Sequence, residues 1–110
     1  MRISVCHCLA CQRRSGSAFG VQAWFPLSRL SFAGQPSIFK RVGDSGGEVT
    51  YRFCPGCGTT LWWEISGRPG FAAVAVGTFG DPAFFAPGVS IYEARRHPWV
   101  SITGEVEHLD

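Results

Sequence analysis

At 110 residues, with 45% hydrophobic residues and only 16% charged ones, the chain has the size of one small domain with a modest core. A formal net charge of +2 is too small to point to nucleic acid, and pairs such as Arg13-Arg14 and Arg95-Arg96 make no basic stripe. No run reaches the roughly 18 consecutive apolar residues of a membrane span, and Met1–Val5 enters a cysteine cluster without the apolar core of a signal peptide. No nucleic-acid and no membrane partner is therefore expected, and cytoplasmic residence is the default.

Along the chain, Val5–Cys8 closes a first predicted strand, which points Cys6 and Cys8 to one face and His7 to the other. Cys11 returns across a Cys-x-x-Cys turn, with a short helical turn over Gln12–Arg14. Ser15-Gly16-Ser17 reads as a turn that can also offer hydroxyls and amides to a ligand. Val21–Pro26 is a second strand stopped by its proline, and Val49–Phe53 leads into Cys54-Pro55-Gly56-Cys57, which has the form of a zinc knuckle. Thr60–Ile65 and Phe71–Val76 flank a turn at Ser66–Gly70 and read as a hairpin. Gly77–Gly88 is a packed apolar loop, and Ile91–Val100 holds one or two more short strands. Short apolar runs between turn residues, with no amphipathic stretch of helical length, predict a mainly β domain over 1–110 with short or no helices.

The five cysteines carry the chemistry. An odd count cannot pair fully as disulfides, and closely spaced thiols in a reducing compartment point to metal. One arrangement joins Cys8, Cys11, Cys54 and Cys57 in a four-sulfur zinc ribbon and leaves Cys6 free. The other keeps Cys6, Cys8 and Cys11 together at an open site, where three protein ligands leave a position for water or substrate, and sends Cys54 and Cys57 elsewhere. The 42 residues between Cys11 and Cys54 exceed the spacing of about 15–20 of compact ribbons, but spacing alone leaves both open.

Around that cluster, Arg13 and Arg14 read either as a solvated surface pair or as groups that offset thiolate charge and bind a ligand's carboxylates. His7 belongs in a supporting or surface position, and His97 and His108 in a loop and the tail. Trp24, Trp62, Trp63 and Trp99 read as core or sheet packing, with Phe19 or one of them walling a pocket.

The linked motifs Cys6-His7-Cys8-x-x-Cys11, Arg13–Gly20 and Phe53–Thr59, followed by Trp62-Trp63, Ile91-Tyr92 and Pro98-Trp99, resemble the glutathione-dependent formaldehyde-activating enzyme family over nearly the whole chain. The resemblance implies a small zinc-binding β-sheet domain of the Mss4-like type. It implies a zinc on Cys6, Cys8 and Cys11 that acts with glutathione or a similar thiol and an aldehyde, in the manner of a carbon–sulfur lyase. Arg13, Arg14, Ser15 and Ser17 then fall to substrate binding. Cys54 and Cys57 match half of a second zinc site, whose other half in the family is an upstream Cys-x-Cys hairpin that this chain lacks. That half site can be completed by His108, a carboxylate or a neighbouring subunit, can stay empty, or can capture a thiol from the triple, and a homodimer through the uncovered sheet edge is a further hypothesis. A non-catalytic thiol carrier and a zinc-ribbon interaction module are the rival function classes.

Overall fold

A computed structural model describes residues 1–43 and 46–110. In chain order it contains β1 (Arg2–Cys6), α1 (Leu9–Ser15), β2 (Gly20–Pro26), β3 (Ser37–Val42), β4 (Glu48–Phe53), β5 (Thr60–Ile65), β6 (Phe71–Ala75), β7 (Val89–Ile91) and β8 (Glu107–His108). All eight strands form one sheet in the order β3-β4-β5-β6-β2-β1-β7-β8. The protein is mainly β, as its alternating apolar pattern predicts. β1 pairs antiparallel with β2 and parallel with β7, so the strand that delivers Cys6 lies inside the sheet, held on both sides.

Alternation sorts the faces. In β4, Val49 and Tyr51 are buried while Glu48 is exposed and Thr50 and Arg52 half-buried, the period-2 pattern of a strand with one covered face. Register carries that face across the sheet, pairing Phe39 with Tyr51, Tyr51 with Trp63, Trp63 with Ala73 and Ala73 with Trp24. Val49, Tyr51, Trp63 and Ala73 form a core cluster there, with Trp24, Ile65 and Ala75 packed against it. On the opposite face Arg52 pairs with Glu64 at 2.7 Å and lies over the Trp62 ring at 4.3 Å, and Phe32 stacks on Trp62.

The strand over Thr60–Ile65 and the hairpin to β6 form as predicted, but four expectations change. β1 stops at Cys6, because Cys8 leaves the sheet to cap a helix. That helix covers Leu9–Ser15 rather than one turn at Gln12–Arg14; its start is set by Cys8 and its end by Gly16, whose φ of 68° closes the last turn. The tail strands lie at Val89–Ile91 and Glu107–His108, while Glu93–Arg95 is a 3₁₀ turn entered through Tyr92 at φ 56°. Trp99 is not core: it is 74% exposed and touches the His97 ring edge-on at 5.5 Å, after the turn made by Pro98. β3 is a strand the sequence reading does not anticipate. It forms one edge of the sheet, with Ile38, Phe39 and Val42 exposed. Among the described residues no helix is long and apolar enough to cross a membrane.

Candidate metal centre and substrate groove

The loop between β1 and α1 brings the first three cysteines together. Cys6 is the last residue of β1, opposite Gly20 of β2 and Ile91 of β7. Cys8 is the N-cap of α1, and its Sγ accepts a hydrogen bond from the Cys11 amide at 3.4 Å. Cys11 sits one turn into the helix, facing the sheet. His7 does not point to solvent: it is 0% exposed, its Nε2 lies 2.8 Å from Ser90 Oγ, and its amide bonds Ile91 O at 3.1 Å. Gln12 ties the loop from outside. Its Nε2 donates to His7 O at 2.8 Å and Arg95 O at 3.1 Å, and its Oε1 meets His97 Nε2 at 2.8 Å.

The three sulfurs are buried and lie within 4.8 Å of one another, the only such group of ligating side chains among the described residues. Around a tetrahedral zinc with bonds of about 2.3 Å, sulfurs sit about 3.8 Å apart, so this donor set fits a zinc ion with little movement. The thiols already share charge unequally. Hydrogen bonds from Cys11 and Cys6 hold Cys8 well below the ordinary thiol range. Cys6 is pushed far up by its bonds to Cys11 and Cys8 and by burial. For Cys11 the bond with Cys6 lowers the pKa, but the bond to Cys8 and burial outweigh it and the net direction is up.

A cavity of about 130 Å³ opens beside these sulfurs, walled also by Gln22, Arg41, Tyr51 and Trp63. Arg41 and Tyr51 are shared with a larger groove of about 450 Å³ lined by Arg13, Arg14, Phe39 and Phe53, so the groove and the thiol cavity adjoin. Arg14 is placed by aromatic contact. Its guanidinium lies 4.4 Å from the centre of the Trp63 ring, packed so close to Gly20 that a Cβ there would sit 2.5 Å from Nη2. Arg41 Nε donates to the Tyr51 hydroxyl at 3.0 Å. Three arginines and three aromatic rings thus face a groove that leads to a buried thiol cluster, an arrangement suited to an anionic, thiol-bearing ligand.

The sequence profile of the glutathione-dependent formaldehyde-activating enzyme family matches residues 1–95. The chain belongs to this family. A search of curated proteins returns no match. Family membership associates the protein with glutathione and formaldehyde, and the three-cysteine cluster lies within the matched span.

The other predicted site residues divide by position. Ser15 is exposed, but its hydroxyl is engaged with backbone, donating to Cys11 O at 2.7 Å and Phe19 O at 3.2 Å and accepting from the Ser17 amide at 3.2 Å. Ser17 and Arg13 border a separate open groove with Gln12, His97 and Trp99. Cys54 and Cys57 stand on the hairpin after β4, closed by the bond from the Cys54 amide to Thr59 O and by Gly58 at φ 78°. Cys57 Sγ lies 3.1 Å from Thr59 Oγ1, which with the Thr59 backbone and Cys54 lowers the thiol pKa. The four-sulfur ribbon is not formed: the pair is no part of the Cys6–Cys8–Cys11 group, and no third ligating side chain joins it among the described residues. His108 does not complete it. That side chain is on β8 at the far edge of the sheet, bonded to Glu93 Oε2 at 2.8 Å.

Gln12, Gln22, Phe39, Arg41, Tyr51, Phe53 and Ser90 are the site residues that sequence reasoning missed. Alternation in Glu48–Phe53 marks Tyr51 as inward-facing, but nothing in the sequence says which strand faces the cysteine loop.

Proposed function

We propose that the protein forms or cleaves the carbon–sulfur bond of an S-hydroxymethyl adduct of glutathione or a similar thiol, at a zinc held by Cys6, Cys8 and Cys11. The observation that carries this reading is the convergence of three buried sulfurs with an arginine-lined groove that opens beside them. A zinc bound there supplies an acid that keeps an incoming thiol ionised. The chain's own residues do the rest of the binding. Arg13, Arg14 and Arg41 meet the carboxylates of the peptide, and Phe39 and Phe53 cover its apolar stem. Ser15 and Ser17 act on the ligand only through the turn that fixes Arg13 and Arg14. His7, fully buried and bonded to Ser90, orients the loop and takes no part in proton transfer. Five free cysteines suit a reducing, cytoplasmic setting.

Zinc-loaded protein should accelerate the approach to equilibrium between formaldehyde and glutathione above the buffer rate, and Cys11→Ser should abolish the acceleration. A wild-type rate equal to buffer rules out catalysis. If such a protein still binds glutathione in proportion to its zinc, it is a carrier.

A further inference from the structure

The small cavity beside the thiols holds two polar groups with unused hydrogen-bonding capacity of opposite sense. Tyr51 is 5% exposed and its oxygen accepts from Arg41 Nε at 3.0 Å. A guanidinium has donors and no acceptor, so that bond leaves the phenol proton unused, and no acceptor for it occurs among the described residues. Gln22 is 4% exposed. Its Nε2 donates to Ser4 Oγ at 2.7 Å, while its Oε1 is buried with no partner at all. Both residues wall the cavity that also contains Cys6, Cys8 and Cys11. Buried polar atoms are nearly always paired, and an orphan is costly unless a ligand or water supplies its partner.

A spare acceptor and a spare donor on two residues that wall one small space next to a sulfur site are complementary to a hydroxyl, which gives one proton and accepts another. We infer that Gln22 and Tyr51 form the subsite for the hydroxyl of the S-hydroxymethyl group, an assignment that rests on the function proposed above. The adduct's O–H donates to Gln22 Oε1, and the Tyr51 O–H donates to the adduct's oxygen. Arg41 is a positioning residue: by occupying the phenol's lone pair it turns the Tyr51 proton toward the cavity. In the direction of adduct formation the thiolate's lone pair makes the C–S bond as the C=O π pair moves onto oxygen, where the Tyr51 O–H meets the developing charge; the alkoxide then takes a proton from solvent, which balances the one the thiol released on ionising. The subsite selects for a hydroxyl one carbon from sulfur and against a plain alkyl thioether.

The test compares two thioethers that differ only in this hydroxyl: S-methylglutathione and S-hydroxymethylglutathione, the latter formed in place with formaldehyde present at the same concentration in both arms. Binding to zinc-loaded protein is read by displacement of a fluorescent S-alkylated glutathione, which has no free thiol to react with formaldehyde. Wild type should prefer the hydroxymethyl compound, by about two- to tenfold for each of the two bonds. Tyr51→Phe and Gln22→Met should each lower the hydroxymethyl-to-methyl affinity ratio by most of one bond's share, about two- to tenfold. Equal binding of the two thioethers by wild type overturns the assignment without any variant, and means that the orphaned atoms serve only an ordered water. A preference that survives both substitutions overturns it as well. Failure to bind either glutathione or the adduct overturns the proposed function together with this subsite, so the two failures are distinct.

Discussion

Gly20 offers a sharp check on how Arg14 is held. Gly20 is a buried strand residue paired with Cys6, and its φ is not in the left-handed region, so alanine fits the backbone and should gain about 0.4–1 kcal/mol by restricting the unfolded chain. The added Cβ, however, would sit 2.5 Å from Arg14 Nη2 and 3.4 Å from Cys11 Cβ. The first contact is the flexible end of a side chain, so the guanidinium moves instead of the sheet, and it leaves its place 4.4 Å from the Trp63 ring centre. That half-buried cation–π contact is worth about 1 kcal/mol. Gly20→Ala should therefore be neutral to slightly destabilising in the wild type. In an Arg14→Ala background, where the contact is already gone, it should stabilise by about 0.4–1 kcal/mol. Urea unfolding of the four proteins, at fixed zinc and with m checked for constancy, closes the cycle. The coupling expected is about 1 kcal/mol; equal effects of Gly20→Ala in both backgrounds, within about 0.3 kcal/mol, would refute the placement of Arg14 against Trp63.

Three further outcomes follow from the geometry. Because Cys54 and Cys57 stand apart from the sulfur triple, a Cys54→Ser, Cys57→Ser double variant should retain one zinc at the triple by metal analysis. Cys6→Ser should lose affinity beyond the roughly 10–100-fold that removal of a supporting residue costs; retention of zinc by Cys6→Ser with loss in the double variant would restore the ribbon. Burial raises the Tyr51 pKa despite the Arg41 bond. A group raised in the folded state contributes stability below its unfolded pKa, near 10 for tyrosine, and that stability is lost as pH rises through the folded value. Stability measured from pH 8 to 11 should thus fall at the alkaline end, and Tyr51→Phe should flatten the fall; an unchanged slope counts against a buried, neutral Tyr51. Trp99→Ala should change stability by no more than about 0.5 kcal/mol, since the indole is largely in solvent, and a loss of several times that by thermal unfolding would return Trp99 to the core.

The cysteine cluster and much of the sheet are legible in the sequence alone. Cys6, Cys8 and Cys11 are close in the chain, so a local loop suffices to gather them, and the odd thiol count already argued for metal over disulfides. Strands β4, β5 and β6 were legible because each alternates or runs apolar between turn residues. What the sequence left open was decided by contacts between distant segments. The choice between an open three-cysteine centre and a four-sulfur ribbon depended on where the hairpin after β4 lies relative to the β1–α1 loop, and local spacing carries no such information. Helix α1 was underestimated because its start depends on a cysteine acting as N-cap, a residue type outside the usual capping set. Arg14 reads from sequence as surface or site, and only the fold shows its guanidinium packed against Trp63 and beside Gly20. The cavity is a purely tertiary product: Gln22 from β2, Arg41 from β3, Tyr51 from β4 and Trp63 from β5 meet the cysteines only because sheet pairing brings one face of four strands over one loop.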